Sequence, residues 1–364
     1  MSTIGGIYLF NKNSSCAESL VKMSRALCTA RDKTAYLSRG VGLLCSNTRY
    51  TLPRTEKSTG RTFTLVADEW GFDSQIDKLS SLLPPSDSSA LPCGEFAVAA
   101  YDGSAHCLSV LRDKQGSRPV YFLSSKDHTA FCSEIKGLLA ICDAQPTVSV
   151  EALKRHIFYS YSVLPTEIYS GLTEPPAGKL TLLSGDSINF IDICYKTTNK
   201  EQSEAKNITD PEFFYPDEQG LEELLKKLLL SFDLPQFDVH MPSFLNALNE
   251  IRISSRELAI ADPTVCIDIG YSTRRRERLC SMAGVYAECV PPSNCRICDG
   301  NLIKFESTVA NILYSHGTDS ISDLFGKDWE SALRREKNRS RRIRAYGMLY
   351  QTSIWCNSYP LKFI

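Results

Sequence analysis

The segment SHGTDS, Ser315 to Ser320, has the residue types that a phosphate-binding turn needs. Ser315 and Ser320 offer hydroxyls, Gly317 allows a ligand to approach the backbone closely, and Asp319 offers a carboxylate to Mg²⁺. The apolar segment before it, Val309–Tyr314, is predicted to be a strand, and a helix is predicted to follow. The same residue types also form ordinary polar turns, so both interpretations stay open.

Three cysteines, Cys289, Cys295 and Cys298, form a second candidate site. Cys295 and Cys298 have C-x-x-C spacing, and Cys280 or another side chain could complete a tetrahedral Zn²⁺ site. The sequence has no second C-x-x-C pair. Unliganded thiols or a redox pair are therefore the alternatives to zinc.

Two basic runs, Thr273–Arg278 and Arg334–Arg344, could contact anions. The second run has enough guanidinium groups to bind phosphate, a nucleotide tail or RNA. It lacks the interleaved aromatic residues that stack on bases, so a nucleic acid partner is not expected. A helix with a solvated face is the other interpretation of both runs.

The composition is that of a soluble globular protein with two or three domains. The 364 residues are 43% apolar and 23% charged, and the formal net charge is −1. No apolar run approaches the roughly 20 residues of a membrane span, and the N-terminus lacks the pattern of a secretory signal. The 14 cysteines are scattered along the chain. We therefore expect reduced thiols and a cytoplasmic protein.

Three blocks follow one another between residues 94 and 139. GEFAVAAYD (Gly94–Asp102) is predicted to be a strand, and RDKQGSRPVYF (Arg112–Phe122) a charged turn that pivots at Gly116 and leads into a strand. FCSEIKGLL (Phe131–Leu139) is predicted to begin extended and become helical. Together they resemble the glutaminase-type domain of the asparagine synthetase family, where the same places read like GxFAxxxxD, RDxxGxxPxYY and FASExKxLL. β-Lactam synthetases and lasso-peptide cyclases are relatives of that family.

Three charged residues that lie close together in the sequence could form a catalytic cluster, and these are Arg112, Asp113 and Arg118. We interpret them instead as a turn ion pair that orders the connection to the next strand. Such a pair contributes little stability if it is exposed.

The resemblance places Ser2 where working glutaminases of the family expose a cysteine nucleophile after removal of methionine. Serine is a far weaker nucleophile than a thiolate near neutral pH. TARDK (Thr29–Lys33) stands where the family has a pattern like HRGPD, and Asp68 and Glu69 stand in place of residues that form an oxyanion hole. Carboxylates at that place would repel an oxyanion. We therefore expect a degenerate glutaminase fold retained as structure.

The resemblance also implies a synthetase domain that binds ATP and Mg²⁺. The first phosphate loop expected there is replaced by Phe237–Leu248, which has no glycine, and Pro242 removes a backbone donor. SHGTDS, followed by DLFG (Asp323–Gly326), resembles the second loop of the family, and Leu258–Ser272 resembles the segment before that loop. On this alignment Ser315, Gly317, Asp319 and Ser320 hold the nucleotide, and Asp319 carries Mg²⁺.

These patterns predict two domains and a linker. Residues 1–196 are expected to form an α+β domain, an Ntn-hydrolase-like layered sandwich, and the polar residues 197–215 a linker. Residues 216–364 are expected to form a shortened, degenerate ATP-pyrophosphatase-like domain that is α/β or mostly helical. It should begin with an amphipathic helix that places Leu221, Leu224, Leu225 and Leu228 on one stripe.

Three functions remain open from the sequence. The first is an ATP-dependent amide-forming ligase without its own glutaminase, acting on a small-molecule or peptide carboxylate. The second is a catalytically inactive relative that binds a partner protein or a second copy of itself. The third is a nucleotide-binding protein that contains zinc.

Overall fold

The computed structural model divides the chain into two compact units. It describes residues 3–27, 33–46, 51–55, 62–70, 95–114, 116, 118–142, 146–158, 165–192, 216–232, 234–237, 241–242, 245–246, 299–358 and 362–364. The first unit comprises Met1–Asp143 and Gly171–Gln202, and the second comprises Ala144–Ser170 and Ser203–Ile364. Residues 144–170, which the sequence placed in the N-terminal domain, thus group with the second unit. The predicted linker, 197–215, lies outside the described residues.

One six-stranded sheet of the first unit is antiparallel throughout, in the order β11-β8-β9-β1-β3-β2. Its strands are β1 (Thr3–Leu9), β2 (Lys33–Ser38), β3 (Val41–Ser46), β8 (Tyr121–Ser124), β9 (His128–Cys132) and β11 (Leu172–Thr173). The predicted strands at Gly5–Asn11 and Val41–Asn47 are confirmed as β1 and β3.

The other six-stranded sheet is also antiparallel, in the order β13-β12-β7-β6-β5-β4. Its strands are β4 (Thr51–Thr55), β5 (Thr62–Trp70), β6 (Glu95–Asp102), β7 (Cys107–Arg112), β12 (Lys179–Ser184) and β13 (Ser187–Asp192). The predicted strands at Arg61–Trp70 and Gly94–Asp102 are confirmed as β5 and β6.

The core of the first unit lies between the two sheets. Alternate residues of β1 and β3, such as Ile4, Tyr8 and Leu43, cluster with Ala99 of β6 and Val110 of β7. This period of two is what a strand with one core-facing side produces. The sheets therefore form a layered sandwich, which confirms the α+β prediction.

Helix α1 (Ala17–Ala26) packs on the other face of the first sheet, and α2 (Ile135–Leu139) follows β9. A Cβ at Gly5 would lie 2.9 Å from the sulfur of Met23 in α1, and a Cβ at Gly6 would lie 2.5 Å from the ring of Phe131. The absence of side chains at these two positions of β1 lets the helix and the neighbouring strand approach closely.

The second unit, in its described part, is mostly helical. Its helices are α3 (Val150–Phe158), α4 (Pro165–Ile168), α5 (Glu218–Ser231), α6 (Asp299–His316), α7 (Asp319–Phe325), α8 (Trp329–Arg335) and α9 (Arg339–Ser358). Strands β10 (Thr147–Val148) and β14 (Lys362–Phe363) pair in parallel. The predicted amphipathic helix is confirmed as α5, with Leu221, Leu225 and Leu228 buried. Among the described residues, no helix is both long and apolar enough to cross a membrane.

The strand predicted at Val309–Tyr314 is wrong, because these residues belong to helix α6. The buried residues Phe305, Val309, Ile312 and Leu313 recur at intervals of three and four, which is the period of a helix. The strand was predicted from six residues alone, and a segment that short does not show the helical period of Asp299–His316.

Candidate functional site

A buried polar cluster lies at the start of β1, directly after Ser2. Ser2 itself lies outside the described residues, and Thr3 is the first residue of the strand. The Thr3 hydroxyl donates to Glu134 Oε1 over 2.7 Å, and Lys136 Nζ lies 2.8 Å from Glu134 Oε2. Thr3 and Glu134 are at most 1% exposed, and Lys136 is 6% exposed. The three side chains thus form one buried polar chain, joined by a hydrogen bond and an ion pair.

The register of β1 and β9 places this cluster. Gly5 pairs with Cys132, the last residue of β9, so the next residues run alongside the start of β1. Ser133 continues the pairing, since its N–H donates to the Ile4 carbonyl at 2.9 Å and its Oγ accepts from the Ile4 N–H at 3.1 Å. The Ser-Glu of FCSEIKGLL therefore holds the beginning of the chain to the sheet.

Sequence reasoning missed Glu134 and Lys136 as members of a site. Their signal was two oppositely charged residues inside an otherwise apolar segment, at the start of a predicted helix. That pattern also suits a solvated first turn. Only the pairing of β1 with β9, whose paired residues are 119 to 127 positions apart in sequence, brings these two charges into the buried interior.

Asp68 and Glu69, predicted to lie in the oxyanion region, fall within strand β5. Their backbones pair with Ala97 and Phe96 of β6. The adjoining residues 71–73 and most of Thr29–Lys33 lie outside the described residues. The expected loss of the oxyanion hole stays a prediction.

Arg112 secures the turn that follows β7, and it is buried rather than exposed. Its Nε donates to the Arg118 carbonyl at 2.9 Å, and its Nη2 donates to the Gly116 carbonyl at 2.9 Å. Nη1 reaches both the Pro175 carbonyl, at 3.1 Å, and Glu174 Oε2, at 3.2 Å. A guanidinium suits this place because its five N–H donors form a rigid fork. The predicted role in ordering the turn is confirmed.

Asp113 and Arg118 form further hydrogen bonds within this turn. Asp113 Oδ2 accepts from the Arg118 N–H at 3.1 Å, and the Asp113 carbonyl accepts from Gly116 and Gly178. Gly116 has a φ of +68°, a conformation that glycine adopts without strain. The side chains of Arg112 and Asp113 thus hold the backbone of this turn in place.

A third polar network links the two sheets through His106. Tyr101 Oη lies 2.9 Å from His106 Nδ1, and Tyr8 Oη donates to the His106 carbonyl at 2.7 Å. Tyr8 Oη also accepts from the Gly185 N–H at 2.9 Å. Burial, with smaller contributions from neighbouring phenols, raises the pKa of Tyr101 to about 12. Both phenols therefore stay neutral at physiological pH and act as hydrogen-bonding groups.

In the second unit, the SHGTDS segment connects two helices. Ser315 ends α6 together with His316, Gly317 has a φ of +94°, and Asp319 and Ser320 begin α7. The Ser315 hydroxyl donates back to the Ile312 carbonyl at 3.0 Å. The four predicted nucleotide-binding residues are thus neighbours in one turn, but the predicted strand before them is absent.

The predicted Mg²⁺ contact of Asp319 and the predicted zinc site both stay predictions. In the described part of the chain, no group of three or more His, Cys, Asp or Glu side chains could hold a metal ion. Cys280, Cys289, Cys295 and Cys298 lie outside the described residues, so the zinc site stays a prediction. The six described cysteines are thiols, and these are Cys16, Cys45, Cys107, Cys132, Cys142 and Cys356.

The basic run Arg334–Arg344 spans the end of α8 and the start of α9. Glu306 of α6 binds two of its arginines, with its Oε1 2.6 Å from Arg342 Nε and its Oε2 2.9 Å from Arg339 Nε. Arg334 pairs with Glu330 at 3.6 Å. Much of the positive charge of the run is thus engaged within the protein.

Residues 88–192 match the family model described as a glutamine amidotransferase domain. The match covers less than a third of the chain and includes strands β6 to β13. The protein therefore contains a glutamine amidotransferase-like domain, and the matched residues include seven of the twelve strands of its antiparallel sandwich. The predicted resemblance is confirmed at this level. The match does not extend to a synthetase domain.

Two solved structures are distantly similar. Glutamine phosphoribosylpyrophosphate amidotransferase from B. subtilis, complexed with ADP and GMP, is 11% identical, with a TM-score of 0.33, over 72% of this chain and 67% of that one. An allosteric regulatory enzyme of purine biosynthesis is 10% identical, also with a TM-score of 0.33, over 79% of this chain and 64% of that one. No curated protein matches the chain. Likenesses this distant support no argument about activity.

Proposed function

We propose that the protein is a glutamine amidotransferase-like protein without glutaminase activity, whose first unit serves as a binding scaffold. The observation that carries this proposal is that Ser2 stands where working glutaminases of the family expose a cysteine, because a hydroxyl is a far weaker nucleophile than a thiolate near neutral pH. In that family the free α-amine of the first residue is the base, so the neighbouring groups need not supply one. Thr3, Glu134 and Lys136 lie directly after Ser2 and contact one another, with the Thr3 hydroxyl on Glu134 Oε1 and the Lys136 ammonium 2.8 Å from Glu134 Oε2.

A partner protein or a second copy of the chain would be the target of this scaffold. The amidotransferase-like match and the well-packed sandwich support a retained fold. A fold retained without its nucleophilic cysteine is consistent with selection for structure and binding.

Ammonia release from glutamine tests the loss of glutaminase activity. Wild type, Ser2→Ala and Ser2→Cys are compared, each with its initiator methionine removed. We expect no release above background from any of the three, because Ser2→Cys restores a thiol but no substrate pocket. Ser2-dependent release at enzymatic rates would overturn the proposal.

A second candidate is an ATP-dependent amide ligase of the asparagine synthetase type, acting on a small-molecule or peptide carboxylate. The SHGTDS segment and the order of the family-like segments favour it. Asp319 would carry Mg²⁺, while Ser315, Gly317 and Ser320 would face the nucleotide. The turn connects two helices, whereas a phosphate loop of this family follows a strand. This difference counts against the ligase.

ATP·Mg²⁺ should raise the melting temperature if this second candidate is correct, because a ligand that binds only the native state stabilises it. Asp319→Asn should then reduce the shift, whereas Asp186→Asn, in an exposed turn of the first unit, should not. An unchanged melting temperature with ATP·Mg²⁺ rejects the ligase. Metal analysis of the same preparation tests the zinc-containing alternative at Cys289, Cys295 and Cys298.

A further inference from the structure

A cavity of about 380 Å³ lies among the helices of the second unit and is partly open to solvent. Residues of α3, α7, α8 and α9 line it, and none of Ser315, Gly317, Asp319 and Ser320 does. Its volume falls at the lower end of the range of small-molecule sites, about 300–1,000 Å³. A cavity of this size suits a small ligand and not a macromolecule.

One wall of the cavity is aromatic and apolar. It contains Phe158 of α3, Phe325 of α7, and Trp329 and Leu333 of α8. The rings of Phe158 and Phe325 meet edge to face, with centroids 5.7 Å apart and an angle of 83°. This wall favours a ligand with a planar apolar body.

The polar group of Trp329 is already occupied. Its indole N–H donates to Ser322 Oγ at 3.2 Å. Trp329 is 3% exposed, so a ligand can touch only a small part of its ring, and polar recognition must come from the charged residues of the cavity.

Five charged residues lie around the cavity, with three cations and two carboxylates: Lys154, Arg335, Arg341, Asp328 and Glu336. Arg341 Nη1 lies 3.8 Å from Glu336 Oε2, so these two charges offset each other. Lys154 and Arg335 have no ion-pair partner among the residues that the structure describes. The formal excess of one positive charge favours an anion with a single charge, and Asp328 disfavours a second one.

We propose that this cavity binds a small aromatic monocarboxylate. The aromatic body lies against Phe158, Phe325 and Trp329, and the carboxylate binds at the side of Lys154 and Arg335. A guanidinium matches a carboxylate with two parallel hydrogen bonds, which fixes the orientation of the ligand. The site uses no residue of the first unit and is independent of the proposed function.

Calorimetric titration of the full chain with three probes tests the class of ligand. Phenylacetate has both the ring and the charge, phenylacetamide has the ring without the charge, and acetate has the charge without the ring. We expect phenylacetate to bind at least about tenfold more tightly than either comparator, since each lacks one of the two interactions.

Substitutions then test the place of binding. Lys154→Gln or Arg335→Gln should weaken phenylacetate binding by about tenfold, the usual effect of losing a hydrogen bond between charged groups. Arg334→Gln is the matched control, because Arg334 is the neighbouring arginine, pairs with Glu330 and does not line the cavity. Ala332→Leu should weaken binding by filling space, with little effect on folding because Ala332 is exposed.

Three results would each overturn the proposal. They are no phenylacetate binding at millimolar concentration, equal binding of phenylacetate and phenylacetamide, and unchanged affinity in both Lys154→Gln and Arg335→Gln. A loss in either of these two variants, with Arg334→Gln unchanged, supports the site.

Discussion

The Lys136 ammonium lies 2.8 Å from the Glu134 carboxylate, and the side chains are only 7% and 1% exposed. Removing one partner of a buried ion pair leaves the other charge without compensation. We predict that Lys136→Met lowers the free energy of unfolding of the first unit by about 3–5 kcal/mol. Urea unfolding followed by circular dichroism measures this change.

The surface pair of Lys22 and Glu18 provides the control. Its atoms are also 2.8 Å apart, but its side chains are 55% and 83% exposed. Lys22→Met should change stability by less than about 0.5 kcal/mol. The double variant Glu134→Gln with Lys136→Met should recover part of the loss, since it removes the stranded charge. Similar losses in Lys136→Met and Lys22→Met would contradict the buried ion pair.

The cluster at the start of β1 also shows what the sequence can predict. The strands β1, β3, β5 and β6 follow from short apolar segments bounded by turn residues, and their existence was predicted. The hydrogen bond between Thr3 and Glu134 was not predicted, because it depends on the register of β1 against β9. A register between distant segments is set by the packing of the whole sandwich.

The secondary structure was predicted wrongly where a short apolar segment fits both a strand and a helix. Val309–Tyr314 is apolar and β-branched enough for a strand, yet Phe305 extends its pattern to a helical period. The turn at Gly317 was recognised as a turn, but the element before it was not. The resemblance correctly predicted an amidotransferase-like domain, and the family match at residues 88–192 confirms it. The cavity of the second unit was not predicted, because its lining residues are scattered along the sequence and form no motif.

Arg112→Lys should destabilise the first unit by about 2–4 kcal/mol. A lysine can replace one donor but not the fork that reaches the carbonyls of Gly116, Arg118 and Pro175. Each buried carbonyl left without a donor costs about 1–3 kcal/mol. Thermal and urea unfolding measure the loss. Arg25→Lys, at an exposed position of α1, should be neutral within about 0.5 kcal/mol, and a neutral Arg112→Lys would disprove the role of the fork.

Tyr101→Phe should flatten the loss of stability at alkaline pH. The pKa of Tyr101 is raised from 10.0 to about 12 by burial, so between these pH values the folded state binds more protons than the unfolded state. Stability from this group is therefore complete below pH 10 and falls as pH rises towards 12. Urea unfolding at a series of pH values should show a constant difference between wild type and variant from about pH 7 to 9 and a shrinking one above pH 10. A constant difference at all pH values would contradict the raised pKa.

Glu306→Gln should destabilise the second unit by about 1–2 kcal/mol, between the values for exposed and buried ion pairs. Glu306 binds Arg342 at 2.6 Å and Arg339 at 2.9 Å, and it is 19% exposed. Glutamine keeps one oxygen acceptor but loses the charge that neutralises both guanidinium groups. Salt should reduce the difference between wild type and variant, because the screening length falls from about 10 Å at 0.1 M to about 3 Å at 1 M.

Glu330→Gln is the matched control, since its pair with Arg334 is longer, at 3.6 Å, and Arg334 is 77% exposed. That control should stay within about 0.5 kcal/mol of wild type, and equal effects of the two substitutions would show that Glu306 does not organise the basic run.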